Sequence, residues 1–276
     1  MKFVFIADFF ADEVLGGGEL NNEELIHILS SSGHDVEKIK SQHVSASMIT
    51  DDKIYIVANF MGLNEVCKER LHKNQYVIYE HDHKYLITRN PAYYKDFKAP
   101  KDHITNYEFY RNANSVICQS KFHAEIVKKN LKLDNIKSVG GNLWSEDTLN
   151  TIEEISNQDK NNRYSIMNSN IDHKNTKGAI DYCEKNNYNY ELINACAYEK
   201  FLVRLGSNTG FVFFPKTPET LSRIVVEARM MGLKVITNGL VGATKENWFK
   251  YKGSELIDIM RAKRQQIPNI VLSSYE

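Results

Sequence analysis

Two carboxylates eight residues apart, Glu219 and Glu227, have the types and the spacing to do chemistry on an elongated, hydroxyl-rich ligand. They lie in Pro218-Glu219-Thr220-Leu221-Ser222-Arg223-Ile224-Val225-Val226-Glu227-Ala228. On a 3.6-residue helix that offset is about two turns plus roughly 80°, so Glu227 sits down the shaft and Glu219 at or before the first turn. One carboxylate then meets one end of a ligand and the other a different part. Between them Leu221, Ile224, Val225 and Ala228 have the spacing of a core-facing stripe, and Met231-Gly232 supplies a stop.

The elements that must carry these groups are legible on either side. Gly210 to Pro215 reads as a short buried strand closed by proline, and Lys234 to Asn238 as the next strand. In such a strand, loop, helix, strand unit, the loop at the strand's carboxyl end and the N–H groups opening the helix form an anion cradle. Carboxylates beside that cradle suit polyhydroxyl groups attached to a phosphate.

Further upstream, apolar runs at Phe3 to Ala7, Ile54 to Phe60, Tyr76 to His81 and Ser115 to Gln119 alternate with helical patterns. That alternation predicts βαβ units and a parallel sheet. The acidic, Asn-rich stretch from Asn142 to Asn162 breaks the rhythm and, despite some helical spacing, reads as the linker. After it come a strand at Arg163 to Asn168, a helix at Thr176 to Asn186, a strand at Tyr190 to Ile193 and a helix at Ala197 to Leu205. Gly253 to Gln266 reads as one more amphipathic helix. The expected organisation is a Rossmann-like domain over 1–150, a second over 151–252 and a terminal helical segment over 253–276.

The 276 residues balance 35 Lys and Arg against 35 Asp and Glu, so no global field draws the chain to nucleic acid or an anionic membrane. No apolar run approaches the roughly 20 residues of a membrane span. Cys67, Cys118, Cys183 and Cys196 have no C-x-x-C spacing and read as reduced thiols of a cytoplasmic protein. Glu80-His81-Asp82-His83-Lys84 should emerge at a strand's carboxyl end, where α/β folds bind ligands. On extended chain His81 and His83 would share a face, but no third ligand cluster stands out, so no metal site is expected. Gly16-Gly17-Gly18-Glu19 opens the first helix, with glycines that let a ligand approach the backbone. A dinucleotide fingerprint is not met, because Asn21 stands where its third glycine belongs.

Taken together, the Glu219 to Glu227 segment, its continuation into Glu227-Ala228 and Gly232-Leu233-Lys234-Val235-Ile236, Gly16-Gly17-Gly18-Glu19 and Gly33-His34-Asp35-Val36 resemble the motifs of family 4 retaining GT-B glycosyltransferases. The resemblance covers nearly the whole chain. It implies an α/β fold of two Rossmann-like, doubly wound domains facing across a cleft, with the terminal helix crossing back to the first. It implies a metal-independent hexosyl transfer with retention from a nucleotide-diphospho sugar, a UDP- or GDP-sugar, without a further cofactor. By the same resemblance Glu219 contacts the transferred sugar, Glu227 holds the ribose, and His81 lies in the acceptor and sugar pocket as a hydrogen-bonding or proton-handling group.

Lys177-Gly178 matches the family's Lys-Gly pair, which holds the diphosphate, whereas the family's preceding arginine is replaced by Ser169 or Asn170. Lys174 or Arg223 would then supply the second cation, with helix N–H groups near Ser222 and Arg223. Gly17 and Gly18 are expected against the ligand, Ser120 as a helix cap, Gly141-Asn142 as a hinge, and Gly242-Ala243 as a small-residue turn over the nucleotide. The missing arginine leaves open a nonenzymatic nucleotide-sugar-binding protein, and the fold leaves open a sugar epimerase or phosphorylase. The acceptor, whether glycan, lipid, small molecule, protein or modified nucleic acid, is not encoded in any motif.

Overall fold

The computed structural model describes residues 1–276, which divide into two compact units. The first comprises Met1–Leu143 with Lys263–Glu276, and the second Trp144–Ala262.

The first unit holds β1 (Lys2–Ala7), α1 (Gly17–Ser31), β2 (Asp35–Lys40), β3 (Ile54–Val57), α2 (Glu65–Leu71) and β4 (Tyr76–Glu80). It continues through α3 (Tyr107–Asn112), β5 (Ser115–Cys118), α4 (Lys121–Leu131) and β6 (Ile136–Ser138). The six strands form one parallel sheet in the order β2-β1-β3-β4-β5-β6. Its central strands are apolar on both faces, as a doubly covered parallel sheet requires: Phe3 to Ala7 and Tyr76 to Tyr79 are all buried. The two outer strands, β2 and β6, are largely polar, and their sequences carry no strand-like apolar run.

The second unit holds α5 (Glu146–Ser156), β7 (Asn161–Met167), α6 (Thr176–Lys185), β8 (Tyr190–Ile193), α7 (Tyr198–Gly206), β9 (Asn208–Phe213), α8 (Arg223–Met230) and β10 (Lys234–Thr237). Its parallel sheet runs β10-β9-β7-β8. The helix α9 (Ser254–Leu272) begins here, and from Lys263 onward its residues belong to the first unit. Both sheets are thus the Rossmann-like, doubly wound α/β architecture that the alternation of elements predicts. In each, strand order reverses beside the first strand, between β1 and β3 and between β7 and β9. The carboxyl ends at such a reversal leave a crevice where ligands of open α/β sheets bind.

Three expectations change. The stretch from Asn142 to Asn162 includes the division between the units, after Leu143, but most of it is the helix α5, capped by Ser145 and burying Leu149, Ile152 and Ile155 at i, i+3, i+6 beneath an acidic face. The helix bearing Glu227 starts at Arg223, because Ser222 takes a left-handed φ of 74° that excludes Leu221 from the helix while leaving it buried. The last helix runs through Pro268 to Leu272, held by burial of Ile267 and Val271. No helix is long and apolar enough to cross a membrane.

Candidate functional site

The loops that follow β7 and β9 are stitched together by backbone groups. Lys216 N–H donates to the His173 carbonyl at 2.8 Å, and the Asn175 side-chain amide donates to the Phe214 carbonyl at 2.8 Å. This places Lys174 in a fixed turn, Asp172–Lys174, beside the segment that carries Glu219. The Glu219 backbone is clamped in turn, its N–H donating to the Leu240 carbonyl at 2.8 Å and its carbonyl accepting from Gly242 N–H at 3.0 Å. The Gly242-Ala243 turn therefore fixes Glu219, and Ala243 N–H also reaches the Leu221 carbonyl at 3.0 Å. Lys174 Nζ and Glu219 Oε1 meet at 2.8 Å, so the fold pairs two of the predicted residues directly.

Ser222 caps α8 without a side-chain capping bond, and its hydroxyl is buried with no hydrogen-bond partner. A left-handed non-glycine residue costs on the order of 1 kcal/mol, and a buried orphan hydroxyl about as much again. Both costs fall at the N-terminus of a helix, whose first N–H groups lack intrahelical acceptors. Lys177 lies in the first turn of α6, exposed, with no ion pair or hydrogen bond from its ammonium.

Glu227 has different neighbours. Its Oε1 accepts from Trp144 Nε1 at 2.9 Å and from the Tyr198 hydroxyl at 2.5 Å, and Arg223 Nε lies 3.0 Å away. Arg223 in turn stacks on the Trp144 ring, 4.3 Å from its centroid. Burial, reinforced by the Glu227 charge, pushes the Tyr198 hydroxyl well above its ordinary pKa, so it stays a donor. These three contacts all converge on Oε1. Glu219 and Glu227 thus belong to two separate sets of partners, one with Lys174 and one with Arg223.

In the first unit, Asp8 at the end of β1 accepts from the Met61 and Gly62 N–H groups at 3.1 and 3.0 Å, joining the loops on either side of the strand-order reversal. Gly16 caps α1, and the Glu19 carboxylate folds back so closely that a Cβ on Gly16 would strike it. Asn59 donates to Glu19 at 3.3 Å, and burial raises the Glu19 pKa. This helix N-terminus already holds a carboxylate of its own chain. Gly18 lies against the His81 ring, whose Cγ would be 3.4 Å from a Cβ there; Gly17 is exposed.

His81 Nε2–H donates to Asn22 Oδ1 at 2.5 Å, and the Gln119 amide donates to its Nδ1. Burial lowers its pKa to about 3, so the ring is neutral near pH 7 with both nitrogens engaged. The strand ends at Glu80, so His81 and His83 do not share a face: His83 is buried against the His123 ring at 5.1 Å and shares a 3.0 Å hydrogen bond with the Tyr85 hydroxyl. Beneath them Lys84, fully buried, bridges Glu80 at 2.9 Å and Asp82 at 2.5 Å, and Arg89 pairs with Asp82. Burial opposes the Asp82 charge, but Lys84 and Arg89 outweigh it and hold the carboxyl well below its usual range.

Sequence reasoning passed over Trp144 and Tyr198, which clasp Glu227 from outside its own helix, and Asn22 and Gln119, which fix the His81 ring. Nothing local marks the first two. The signal for Asn22 was available, since a polar residue on the buried face of an amphipathic helix needs a partner. Ser120 caps α4 as expected, accepting from His123 N–H at 3.1 Å.

No protein-family model and no curated protein sequence matches the chain. Solved structures are similar in fold. HepE of Anabaena, in complex with UDP and glucose, aligns with a TM-score of 0.58 at 13% identity over 100% of this chain and 93% of its own. The pneumococcal O-GlcNAc transferase GtfA, in complex with UDP and GlcNAc, gives 0.51 at 11% identity over 83% of this chain and 52% of its own. An alpha-glucosyltransferase in complex with UDP gives 0.50 at 11% identity over 100% and 96%. At these identities the likeness establishes architecture: the chain has the α/β fold of two parallel-sheet units found in GT-B glycosyltransferases.

Proposed function

We propose that the chain is a glycosyltransferase that moves a sugar from a UDP-sugar to a hydroxylated acceptor, with retention of configuration in the manner of family 4. The observation that carries this reading is Ser222, a strained cap with a buried, unpartnered hydroxyl where α8 opens at the ligand-binding end of the second sheet. A diphosphate oxygen would satisfy the hydroxyl and the open N–H groups together and would be favoured by the helix dipole. Lys177, exposed and unpaired, is the cation left to meet the phosphates. Glu219, held rigid through its backbone, would orient sugar hydroxyls, and Lys174 would turn from Glu219 toward the phosphate. Glu227, held by Trp144, Tyr198 and Arg223, would bind the ribose hydroxyls. Such fixed donors stabilise the charge that grows on the leaving diphosphate. The UDP-bound structures that share the fold favour uridine over guanosine as the base. On the acceptor side, His81 would act as a positioning group, a neutral ring beside Gly18, with the exposed Gly17 next to that glycine in the chain.

A second reading draws on the same geometry. The two candidates to replace the missing family arginine are both paired, Lys174 with Glu219 and Arg223 with Glu227. A chain that binds a nucleotide sugar without transferring it would look the same. Thermal unfolding with UDP, GDP and a panel of UDP-sugars tests the first step. Ligand at about 100 times its Kd should add about 2.7 kcal/mol, a rise of about 5 °C for a chain of this size. The rise should be lost in Ser222→Val and reduced in Lys177→Ala. A panel with no UDP compound raising the melting temperature would remove the proposal. UDP release from the stabilising sugar nucleotide, or its absence, then separates transferase from binder.

A further inference from the structure

The first unit contains a cavity of about 630 Å³ that is lined by none of the candidate site residues. Four lysines line it, Lys98 and Lys101 from the segment before α3, and Lys129 and Lys132 from the end of α4, together with apolar surface that includes Ile104 and Leu131. No carboxylate is among the lining groups, and the ammonium groups of Lys98, Lys101 and Lys132 have no ion-pair partner. A helix C-terminus attracts cations, which accounts for Lys129 and Lys132. It does not account for Lys98 and Lys101, which arrive on a separate segment.

The walls are fixed. Asn130 accepts from Ala99 N–H at 2.8 Å and donates to the Phe97 carbonyl at 2.8 Å, while Lys129 donates to the Asp96 carbonyl at 2.6 Å. The segment is therefore stapled along the last turn of α4, and the cavity is pre-formed at a volume typical of small-molecule sites. Its composition selects the ligand. A bare phosphate or a nucleic-acid backbone gains nothing from an apolar floor, and an uncharged lipid gains nothing from four lysines.

We propose that this cavity binds a single-chain amphiphilic anion, its hydrocarbon part over Ile104 and Leu131 and its anionic head among the lysines. The inference does not depend on the glycosyltransferase reading. Calorimetric titration of the full chain tests it, with octyl phosphate below its micellar range and with butyl phosphate, inorganic phosphate, octanol and duplex DNA as comparisons. Octyl phosphate should bind tightest of the five, gaining up to about fourfold per CH₂ over butyl phosphate. The double variant Lys98→Glu/Lys101→Glu should weaken it at least about tenfold, with the circular dichroism and the response to UDP unchanged. Octyl phosphate binding no tighter than inorganic phosphate, or no tighter than octanol, would overturn the proposal. So would DNA binding in its place, no binding at all, or octyl phosphate affinity indifferent to the double variant.

Discussion

Ser222 concentrates the tension between stability and use in this chain. Its φ of 74° is one that glycine adopts freely, and its hydroxyl is buried without a partner. Ser222→Gly should relieve about 1 kcal/mol of backbone strain and remove the orphan group, raising the melting temperature by about 2–4 °C. The same change should diminish the stabilisation by UDP. Calorimetry with and without nucleotide reads both, and a variant that melts lower, or responds to UDP as fully as the parent, would refute this account. At this scale sequence reasoning was uneven. It named Glu219, Lys174 and Ser222, which the fold brings to one set of loops. It could not see that Glu227 is clasped by Trp144 and Tyr198, 83 and 29 residues away, since such contacts leave no local pattern.

Among the elements, β9 is the most constrained, because it pairs with β7 and β10 and aims its loop at Glu219. Gly210 lies where β9 passes the Tyr164 ring; an added Cβ would strike that ring and come 3.1 Å from the Lys234 carbonyl. Gly210→Ala should therefore destabilise by about 1–3 kcal/mol through overpacking. A urea transition should move to lower concentration with an unchanged slope; an unmoved midpoint would mean that the sheet absorbs the methyl group. Central strands were readable because both faces are apolar, whereas β2 and β6 were not, since polar outer strands look like loop. In α5 the buried stripe of Leu149, Ile152 and Ile155 was masked by the acidic and Asn-rich residues around it. In α9, Pro268 reads as a terminator, yet the burial of Ile267 and Val271 carries the helix past it.

For the molecule as a whole, pH dependence should come from imidazoles clustered at the end of β4. Burial lowers His81 to about 3 and His123 to about 4, and takes His83 well below its ordinary value. The His123 ring donates to the Asp82 carbonyl and accepts from Gln119 N–H, so a second ring proton would face a donor. Below about pH 6.5 the unfolded chain takes up protons at these rings that the folded chain refuses, so the stability present above that pH is lost as pH falls. Glu80 opposes this: burial pushes it up to about 7, against the pull of Lys84 and Tyr110, so between about pH 7 and 4.5 the folded form binds its proton first. Asp82, held down by Lys84 and Arg89, stays charged through this range. Three imidazoles outnumber the two raised carboxyls, Glu80 and Glu19, so stability should fall on balance as pH drops below about 6. Melting temperatures at pH 7 and pH 5 should differ accordingly, and equal values would disprove the assignment. The order of strands and helices revealed the fold class because both units repeat one simple motif; the division of α9 between them rests on tertiary burial that no periodicity encodes. That division bears on biosynthesis. The second unit is one uninterrupted segment, whereas the core of the first contains Ile267 and Val271, and the Tyr275 hydroxyl caps the Tyr55 carbonyl. On the ribosome, the earlier-made portion must wait with Phe3, Val77 and Ile117 incompletely covered until residues 263–276 emerge. A nascent chain stalled before that point would be a natural client for a chaperone.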